Sequence, residues 1–278
     1  MKIALVSLNQ AWEDKKTNLD LCEKYIQKSS GENVNLIVFP EMTLTGFSIN
    51  IGSTAEDFEN SQTIQSFSLL AKQFNIGIIF GVVIKENNKA LNRSIFVDNK
   101  GTILGKYTKT HPFSFSGEGK YFNAGTELTV ISFNDFNIGL TICYDLRFPE
   151  LYSALSKKSD LVINIANWPK KRADHWATLL KARAIENQIF IAGVNRTGKD
   201  ENGLEYIESS NIFNANGEKM KFMEVGDMKI YEINKDWTNK FKEKFNTTND
   251  RKIEFYFKFF CPICIYLIYF HIFIFIKF

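Results

Sequence analysis

The chain has 278 residues, and its 34 Lys and Arg against 31 Asp and Glu give a formal net charge of +3. A balance this close argues against a dedicated nucleic-acid binder and against a broad cationic membrane surface, so a small molecule or a second copy of the chain is the expected partner. Four cysteines are too few for a disulfide framework, and the strand-like N-terminus shows no cleavable signal, so we expect a cytoplasmic protein.

The first half of the chain alternates short apolar runs with stretches of helical periodicity, which is typical of an α/β protein. In chain order, the predicted elements are a strand at 3–8, a helix with Leu19, Cys22 and Ile26 on its apolar face, a strand at 35–39, a helix with Ile64, Phe67, Ala71 and Phe74 on its apolar face, and an apolar run at 76–84. Two hairpins are predicted to follow, the first turned at 98–101 and the second near Asn134 and Asp135.

Helices and strands alternate again in the second half of the chain. The predicted elements there are a helix at 148–156, a strand at 161–165, a helix at 174–187, a strand at 189–194, a hairpin turned at 214–217 and a strand at 229–233. The sequence has no internal repeat and no long linker. The pattern therefore predicts one α/β domain over residues 1–256, with mixed sheets covered by helices.

The C-terminal tail, residues 257–278, has a different composition. Residues 259–276 contain no Asp, Glu, Lys or Arg, and this length is about the minimum for a helix that spans a membrane. The crowding of aromatic and β-branched residues, together with Pro262 and His271, argues against such a helix. Three interpretations of the tail therefore remain open: a membrane anchor, a contact between subunits and a non-native extension.

Three segments place an ionisable residue just beyond an apolar strand. They are LIVFPEMTLTGF with Glu41, GKYTKTHPF with Lys109, and LTICYDLRFPE with Cys143. Ligands of α/β sheets bind at the ends of strands, so a carboxylate, an amine and a thiol are predicted to converge at one edge. A single cysteine is more often a small core residue than a nucleophile, and it is the three-part pattern that favours a catalytic role.

This combination of side chains suits amide hydrolysis. A thiol with an ordinary pKa of about 8.5 is mostly protonated at neutral pH, so its attack on a carbonyl needs a neighbouring base, a role that Glu41 can fill. Charge that develops on the carbonyl oxygen can be stabilised by Lys109 and by the backbone N–H of Tyr144. Water then releases the acyl group from Cys143.

Other chemistries have less support in the sequence. His111 and His175 suggest a cysteine protease, but no papain-like signature surrounds Cys143. The CPIC sequence in the tail has the spacing of metal ligands without a second pair, and no glycine-rich phosphate loop is found. We therefore expect no metal, no cofactor and no nucleic-acid partner.

The three segments, in this order, resemble the nitrilase or carbon-nitrogen hydrolase superfamily with its Glu-Lys-Cys triad, and the resemblance covers residues 1–256. Within it, the stretches NWPKKRADHW, LLKARAIENQ and GVNRTGKDENG resemble the omega-amidase branch of the YafV type. The resemblance implies an α/β fold in the form of a four-layer α-β-β-α sandwich, paired into a homodimer through its helical layer. It also implies a second glutamate, Glu118 in SFSGEGKYFNAG, that orients Lys109 and the substrate amide.

The activity that the resemblance implies is cofactor-independent hydrolysis of the omega-amide of 2-oxo acid monoamides. Such substrates, for example 2-oxoglutaramate and 2-oxosuccinamate, would give the 2-oxo dicarboxylate and ammonia through a thioester. A carboxylate remote from the reacting amide calls for a cation that can bind it in a bidentate manner, and Arg172 is the candidate. Candidate apolar walls of the pocket are Trp168, Phe115 and Phe47.

Two further functions remain open from the sequence. A different amidase of the superfamily, acting on N-carbamoyl compounds or aliphatic amides, or a nitrilase, would share the triad and differ in the pocket. A non-catalytic scaffold tethered to a membrane would keep the fold, but it has no need for three converging ionisable groups.

Overall fold

Two β-sheets lie face to face, and helices cover the outer side of each sheet, so the chain forms four α-β-β-α layers. The computed structural model describes residues 1–260, apart from the side chains at positions 257 and 260. This arrangement confirms the predicted α/β sandwich.

Both sheets combine parallel and antiparallel strands. Within residues 1–260, the strands are β1 (Lys2–Val6), β2 (Leu36–Val38), β3 (Gly77–Glu86), β4 (Lys89–Val97), β5 (Ile103–Thr108), β6 (Val130–Phe133), β7 (Phe136–Ile142), β8 (Leu161–Ala166), β9 (Phe190–Asn195), β10 (Gly198–Lys199), β11 (Glu205–Tyr206), β12 (Asn211–Phe213), β13 (Phe222–Val225) and β14 (Met228–Glu232). The first sheet has the order β13-β14-β1-β2-β3-β4-β5, the second has the order β12-β9-β8-β7-β6, and β10 pairs with β11 alone.

The two long helices on the first sheet begin at residues whose side chains cap them. Over the same residues, the helices are α1 (Lys15–Gly31), α2 (Ile51–Thr54), α3 (Gln62–Phe74), α4 (Pro149–Leu155), α5 (Ala173–Asn187), α6 (Lys235–Lys244) and α7 (Ile253–Phe260). The Asp14 carboxylate accepts the Thr17 N–H at the start of α1, and the Ser61 hydroxyl accepts the Ile64 N–H at the start of α3. These two helices cover the first sheet, while α4 and α5 cover the second.

The central strands are buried on both faces, which explains their continuous apolar sequences. Along β1, Ile3 and Leu5 pack between the two sheets, whereas Ala4 and Val6 pack beneath the helices. β1, β2 and β3 are parallel to one another, and so are β7, β8 and β9. β5 runs in the same direction as β3, because β4 is antiparallel to both. The carboxyl ends of these strands meet at one edge of the sandwich, where the three predicted site residues follow β2, β5 and β7.

Most predicted elements agree with the structure within one or two residues at their ends, and the hairpins turned at 98–101 and near Asn134 are confirmed. The turn at 214–217 is present, but beyond it the chain re-pairs only through a single bridge between Phe213 and Lys219. Several elements escaped prediction: the first half of β4, the strands β10, β11 and β13, and the helices α2, α6 and α7. The helix α6 has the sequence KDWTNKFKEK, in which apolar residues are too sparse to show a clear face.

Within the described part of the chain, no helix is long and apolar enough to cross a membrane. The predicted tail begins inside α7 at position 257, and residues 261–278, including the cysteines of CPIC, lie outside the described residues. The anchor, the subunit contact and the non-native extension all remain predictions.

Candidate active site

Three strand ends bring the predicted catalytic side chains together. Glu41 follows β2, Lys109 comes directly after β5, and Cys143 comes directly after β7. The Lys109 Nζ lies 3.0 Å from Glu41 Oε1, and Lys109 and Cys143 line the same cavity. The convergence expected from the sequence is therefore present, across the boundary between the two sheets.

Lys109 is held between two buried carboxylates. Its Nζ lies 3.0 Å from Glu41 Oε1 and 2.9 Å from Glu118 Oε2, and the exposed fraction of all three residues is at most 1%. Burial by itself lowers the pKa of Lys109, but Glu118 and Glu41 outweigh that effect and raise the pKa above its ordinary value. Lys109 is therefore a cation at neutral pH.

The two carboxylates differ in how many hydrogen-bond donors reach them. Glu118 accepts four hydrogen bonds, two from Lys109 Nζ, one from the Asn92 amide and one from the Phe113 N–H. Glu41 Oε1 accepts from Lys109 Nζ and from the Asn92 amide, whereas Oε2 accepts a single bond from the Asn167 N–H at 2.9 Å. Because an ionised carboxylate has about four acceptor positions, only Glu41 keeps one for a further proton donor.

Cys143 occupies a strained turn at the end of β7. Its φ of +46° lies in the left-handed region, which a non-glycine residue adopts at a cost and which is concentrated at functional sites. The Asp145 carboxylate accepts the Ile142 N–H at 3.0 Å and thereby closes the turn, and the Cys143 Sγ points to the Asn167 carbonyl at 4.0 Å. The turn raises the thiol out of the sheet into the cavity.

The Cys143 thiol is neutral in the resting protein. Its largely apolar surroundings raise its pKa well above the ordinary value, the negative charge of Glu41 raises it further, and Lys109 opposes this only in part. Attack by this sulfur therefore requires that a base removes the proton during the reaction.

A glycine on the neighbouring strand sets the position of the Glu41 loop. A Cβ added at Gly81 would lie 2.3 Å from the Met42 nitrogen and 2.9 Å from the Glu41 carbonyl carbon, both of which are backbone atoms. We expect Gly81→Ala to push this loop away, to destabilise the fold by about 1–3 kcal/mol, and to lower turnover. Urea unfolding and initial rates measure the two effects.

The control for this substitution is Gly31→Ala, at the end of α1, because no atom lies within 4 Å of the added Cβ there. It should leave activity and stability nearly unchanged. Equal behaviour of the two variants would contradict the role assigned to the close approach at Gly81.

The cavity above Cys143 has an aromatic wall and a cationic rim. Its empty space, counted together with the solvent at its open mouth, is about 510 Å³. The residues that line it are Phe47, Lys109, Phe113, Ser116, Cys143, Tyr144, Arg147, Asn167, Trp168, Pro169, Arg172, Leu204 and Tyr206. Among the predicted pocket residues, Tyr144, Arg172, Trp168 and Phe47 are thus in place.

Phe115 is the exception, and the wall position predicted for it is wrong. Its side chain is 89% exposed and does not line the cavity, whereas Phe113 does. Phe113 precedes the short helical turn at Ser114–Ser116 and Phe115 lies within it, and the two ring centroids are 5.9 Å apart. The ring of Phe113 lies 4.9 Å from that of Tyr144 and 5.6 Å from the Arg172 guanidinium.

Three polar residues at the site were not predicted. Asn92 lies inside β4, Asn167 directly follows β8, and Arg147 ends the helical turn that begins at Cys143. Arg147 stacks over Trp168 at 4.8 Å and lines the cavity beside Arg172. A sequence signal existed for two of them. Arg147 is four residues after Cys143, and Asn167 directly precedes Trp168. Nothing near Asn92 in sequence marks it.

Comparisons with known proteins identify the family and agree with the fold. The family model for carbon-nitrogen hydrolases matches residues 2–224. Omega-amidase YafV from Yersinia enterocolitica is 37% identical over 226 residues, which cover 81% of this chain and 86% of that protein. The 2-oxoglutaramate amidase of Bacillus subtilis is 34% identical over 187 residues, covering 66% of this chain and 71% of that protein.

A solved structure extends the agreement to the fold. A carbon-nitrogen hydrolase superfamily protein from Xanthomonas campestris, which carries an arsenic adduct in its active site, superposes with a TM-score of 0.84 at 29% identity, covering 91% of this chain and 97% of that chain. The chain belongs to the carbon-nitrogen hydrolase family, in the YafV-type branch of the nitrilase superfamily. It is therefore an amidohydrolase, an enzyme that hydrolyses carbon–nitrogen bonds.

Proposed function

We propose that this enzyme is an omega-amidase, which hydrolyses the omega-amide of 2-oxo acid monoamides such as 2-oxoglutaramate and 2-oxosuccinamate. The observation that carries the proposal is a cavity with a thiol at its base, beside a buried carboxylate, and two guanidinium groups on its lining. Two relatives named for this type of amide hydrolysis support the same choice. The products are the 2-oxo dicarboxylate and ammonia.

The remote end of the substrate is bound by charge. Among residues 1–260, neither Arg147 nor Arg172 forms an ion pair with an Asp or Glu side chain, so both guanidinium groups can bind an anion. No Asp or Glu of the described residues lines the cavity. A carboxylate with a neighbouring ketone oxygen fits these cations, whereas an α-ammonium group would be repelled by them.

The first half of the reaction transfers the acyl group to sulfur. Glu41 Oε2 takes the proton of Cys143, the sulfur attacks the amide carbon, and the electron pair of the C=O bond moves onto oxygen. The positive charge of Lys109 and the Tyr144 N–H stabilise that oxyanion. When it collapses, the C–N bond breaks, and Glu41 returns the proton to nitrogen, which leaves as ammonia.

The second half releases the product and restores the thiol. Glu41, again a carboxylate, takes a proton from a water molecule, whose oxygen attacks the thioester carbon. Collapse of the second tetrahedral intermediate breaks the C–S bond, and the proton returns from Glu41 to the Cys143 sulfur. Glu118, with all of its acceptor positions occupied, holds Lys109 in place and takes no proton in either half.

Ammonia release by the full chain tests the proposed substrate. We expect release from 2-oxoglutaramate and 2-oxosuccinamate, and little or none from glutamine and asparagine, which differ at the end that faces the two arginines. N-carbamoyl compounds, aliphatic amides and nitriles are the comparison substrates. Faster turnover of any of these than of both 2-oxo amides would contradict the proposal.

The homodimer remains a prediction, to be measured by light scattering.

The proposed contact between Arg172 and the remote carboxylate predicts that removal of this side chain weakens substrate binding. We expect Arg172→Ala to raise KM for 2-oxoglutaramate by about 10- to 100-fold with a smaller change in kcat, because a charge-assisted hydrogen bond far from the reacting amide is lost. Lys171→Ala is the matched control, since this neighbouring cation is exposed and does not line the cavity. An unchanged KM in Arg172→Ala would assign the carboxylate to Arg147 instead.

A further inference from the structure

Asn92 connects the two glutamates of the site through one amide group. Its side-chain nitrogen donates to Glu41 Oε1 at 2.8 Å and to Glu118 Oε1 at 3.1 Å, and the residue is 1% exposed. The backbone carbonyl of Asn92 accepts the backbone N–H of Lys109 at 2.9 Å. Asn92 thus contacts all three charged residues of the buried group from the middle of β4.

We propose that Asn92 is a positioning residue that keeps Glu41 ionised and keeps its free acceptor position directed at the thiol. The inference rests on the proposed function, in which Glu41 takes the proton of Cys143. Asn92 occupies Oε1 together with Lys109, and it thereby leaves Oε2 as the oxygen that accepts the proton.

The charge of the buried group explains why such a donor is needed. Two carboxylates share one ammonium, so the group carries a net negative charge away from water. The titratable groups that face Glu41 are Lys109, Glu118 and the thiol of Cys143. A neutral amide donor favours the charged form of both carboxylates without competing with Lys109 for them.

The orientation of the Asn92 amide follows from the same contacts. Turning it over would direct its Oδ1 at the two carboxylates, so the donor side must face them. In the described part of the chain, that Oδ1 is buried without a hydrogen-bond partner. Leaving this acceptor unpaired in the interior lowers the stability of the folded protein.

The test measures how fast Cys143 is alkylated as a function of pH. The full chain reacts with iodoacetamide, and mass spectrometry follows the peptide that carries Cys143. Alkylation that Glu41 assists as a base becomes slower as Glu41 is protonated. The alkylation rate therefore falls toward low pH, and this fall is the acid limb of the pH–rate profile. We expect Asn92→Ala to move this limb to higher pH by about one unit, because Glu41 loses a donor that favours its charged form. Asn92→Ser, which keeps one donor, should move it less.

The control is Asn164→Ala, which removes another buried strand asparagine, one that donates to Thr141 and Tyr152 and touches no carboxylate. Its acid limb should stay where the parent's lies. A folded Asn92→Ala or Asn92→Ser protein whose rate falls equally at every pH, with the limb unmoved, would overturn the inference. Alkylation needs no assigned substrate, so a shifted limb in a protein inactive on 2-oxo amides would reject the substrate and retain the role of Asn92.

Discussion

Replacing Cys143 by alanine should abolish turnover while the protein stays folded. The proposed mechanism forms a bond to this sulfur, and no other described side chain at the base of the cavity is a nucleophile of this type. We expect kcat/KM for 2-oxoglutaramate to fall by about 10⁴-fold or more. Removing one small side chain at the base of an open cavity leaves little new volume, so thermal unfolding should change by only a few degrees.

The matched control is Cys22→Ala, which removes the other described free cysteine. Cys22 is fully buried on α1 against the core of the first sheet, and its surroundings raise the pKa of its thiol. This variant should lose about 1 kcal/mol of stability and keep its activity. Activity in Cys143→Ala above one-hundredth of the parent's would exclude the thioester route.

The sequence predicted the convergence of Glu41, Lys109 and Cys143 because all three follow strand ends. An apolar run that stops at a charged residue is visible locally, and Lys109 and Cys143 each come one residue after their strands. β2 is parallel to β3, β7 is parallel to β8, and β5 runs in the direction of β3 because β4 is antiparallel to both, so these ends lie at one edge. Local pattern and general topology were sufficient for that part of the site.

The polar residues that hold the catalytic group were beyond this reasoning. Asn92 and Ser94 are buried on β4 and interrupt the apolar alternation that would have marked the first half of this strand. The buried polar residues that serve the site therefore prevented the prediction of the first half of β4. The partner of Asn92 is Glu41, fifty-one positions away, so only the pairing of β3 with β4 makes the contact evident.

The aromatic wall shows a second limit of the sequence. Phe113 and Phe115 stand in the same segment and have the same side chain, so composition cannot distinguish them. The turn at Ser114–Ser116, which contains Phe115, decides which ring faces the cavity. The Glu118 carboxylate accepts the N–H of Phe113 and holds the residue that precedes this turn. Loop geometry of this kind follows from tertiary contacts rather than from periodicity.

Replacing Lys109 by methionine should damage both stability and activity. The substitution leaves Glu41 and Glu118 buried together without their cation, and removal of one partner from a buried ion pair costs about 3–5 kcal/mol. Loss of the positive charge beside the oxyanion should lower kcat/KM by about 10³-fold. Lys170→Met is the control, because its pair with Glu205 is exposed to solvent and should contribute little to stability.

The stability of the Lys109→Met protein should also acquire a new dependence on pH. Two adjacent carboxylates in the interior raise the pKa of the pair above the unfolded value of about 4.3. The folded state then binds more protons than the unfolded state, so stability is greatest below that value and falls as pH rises toward about 8. Urea unfolding from about pH 5 to about pH 8 should show this loss in Lys109→Met but not in the parent. Adding Glu118→Gln removes one of the two charges, so the double variant should recover stability, and a double variant as weak as Lys109→Met would show that repulsion between the carboxylates is not the cause.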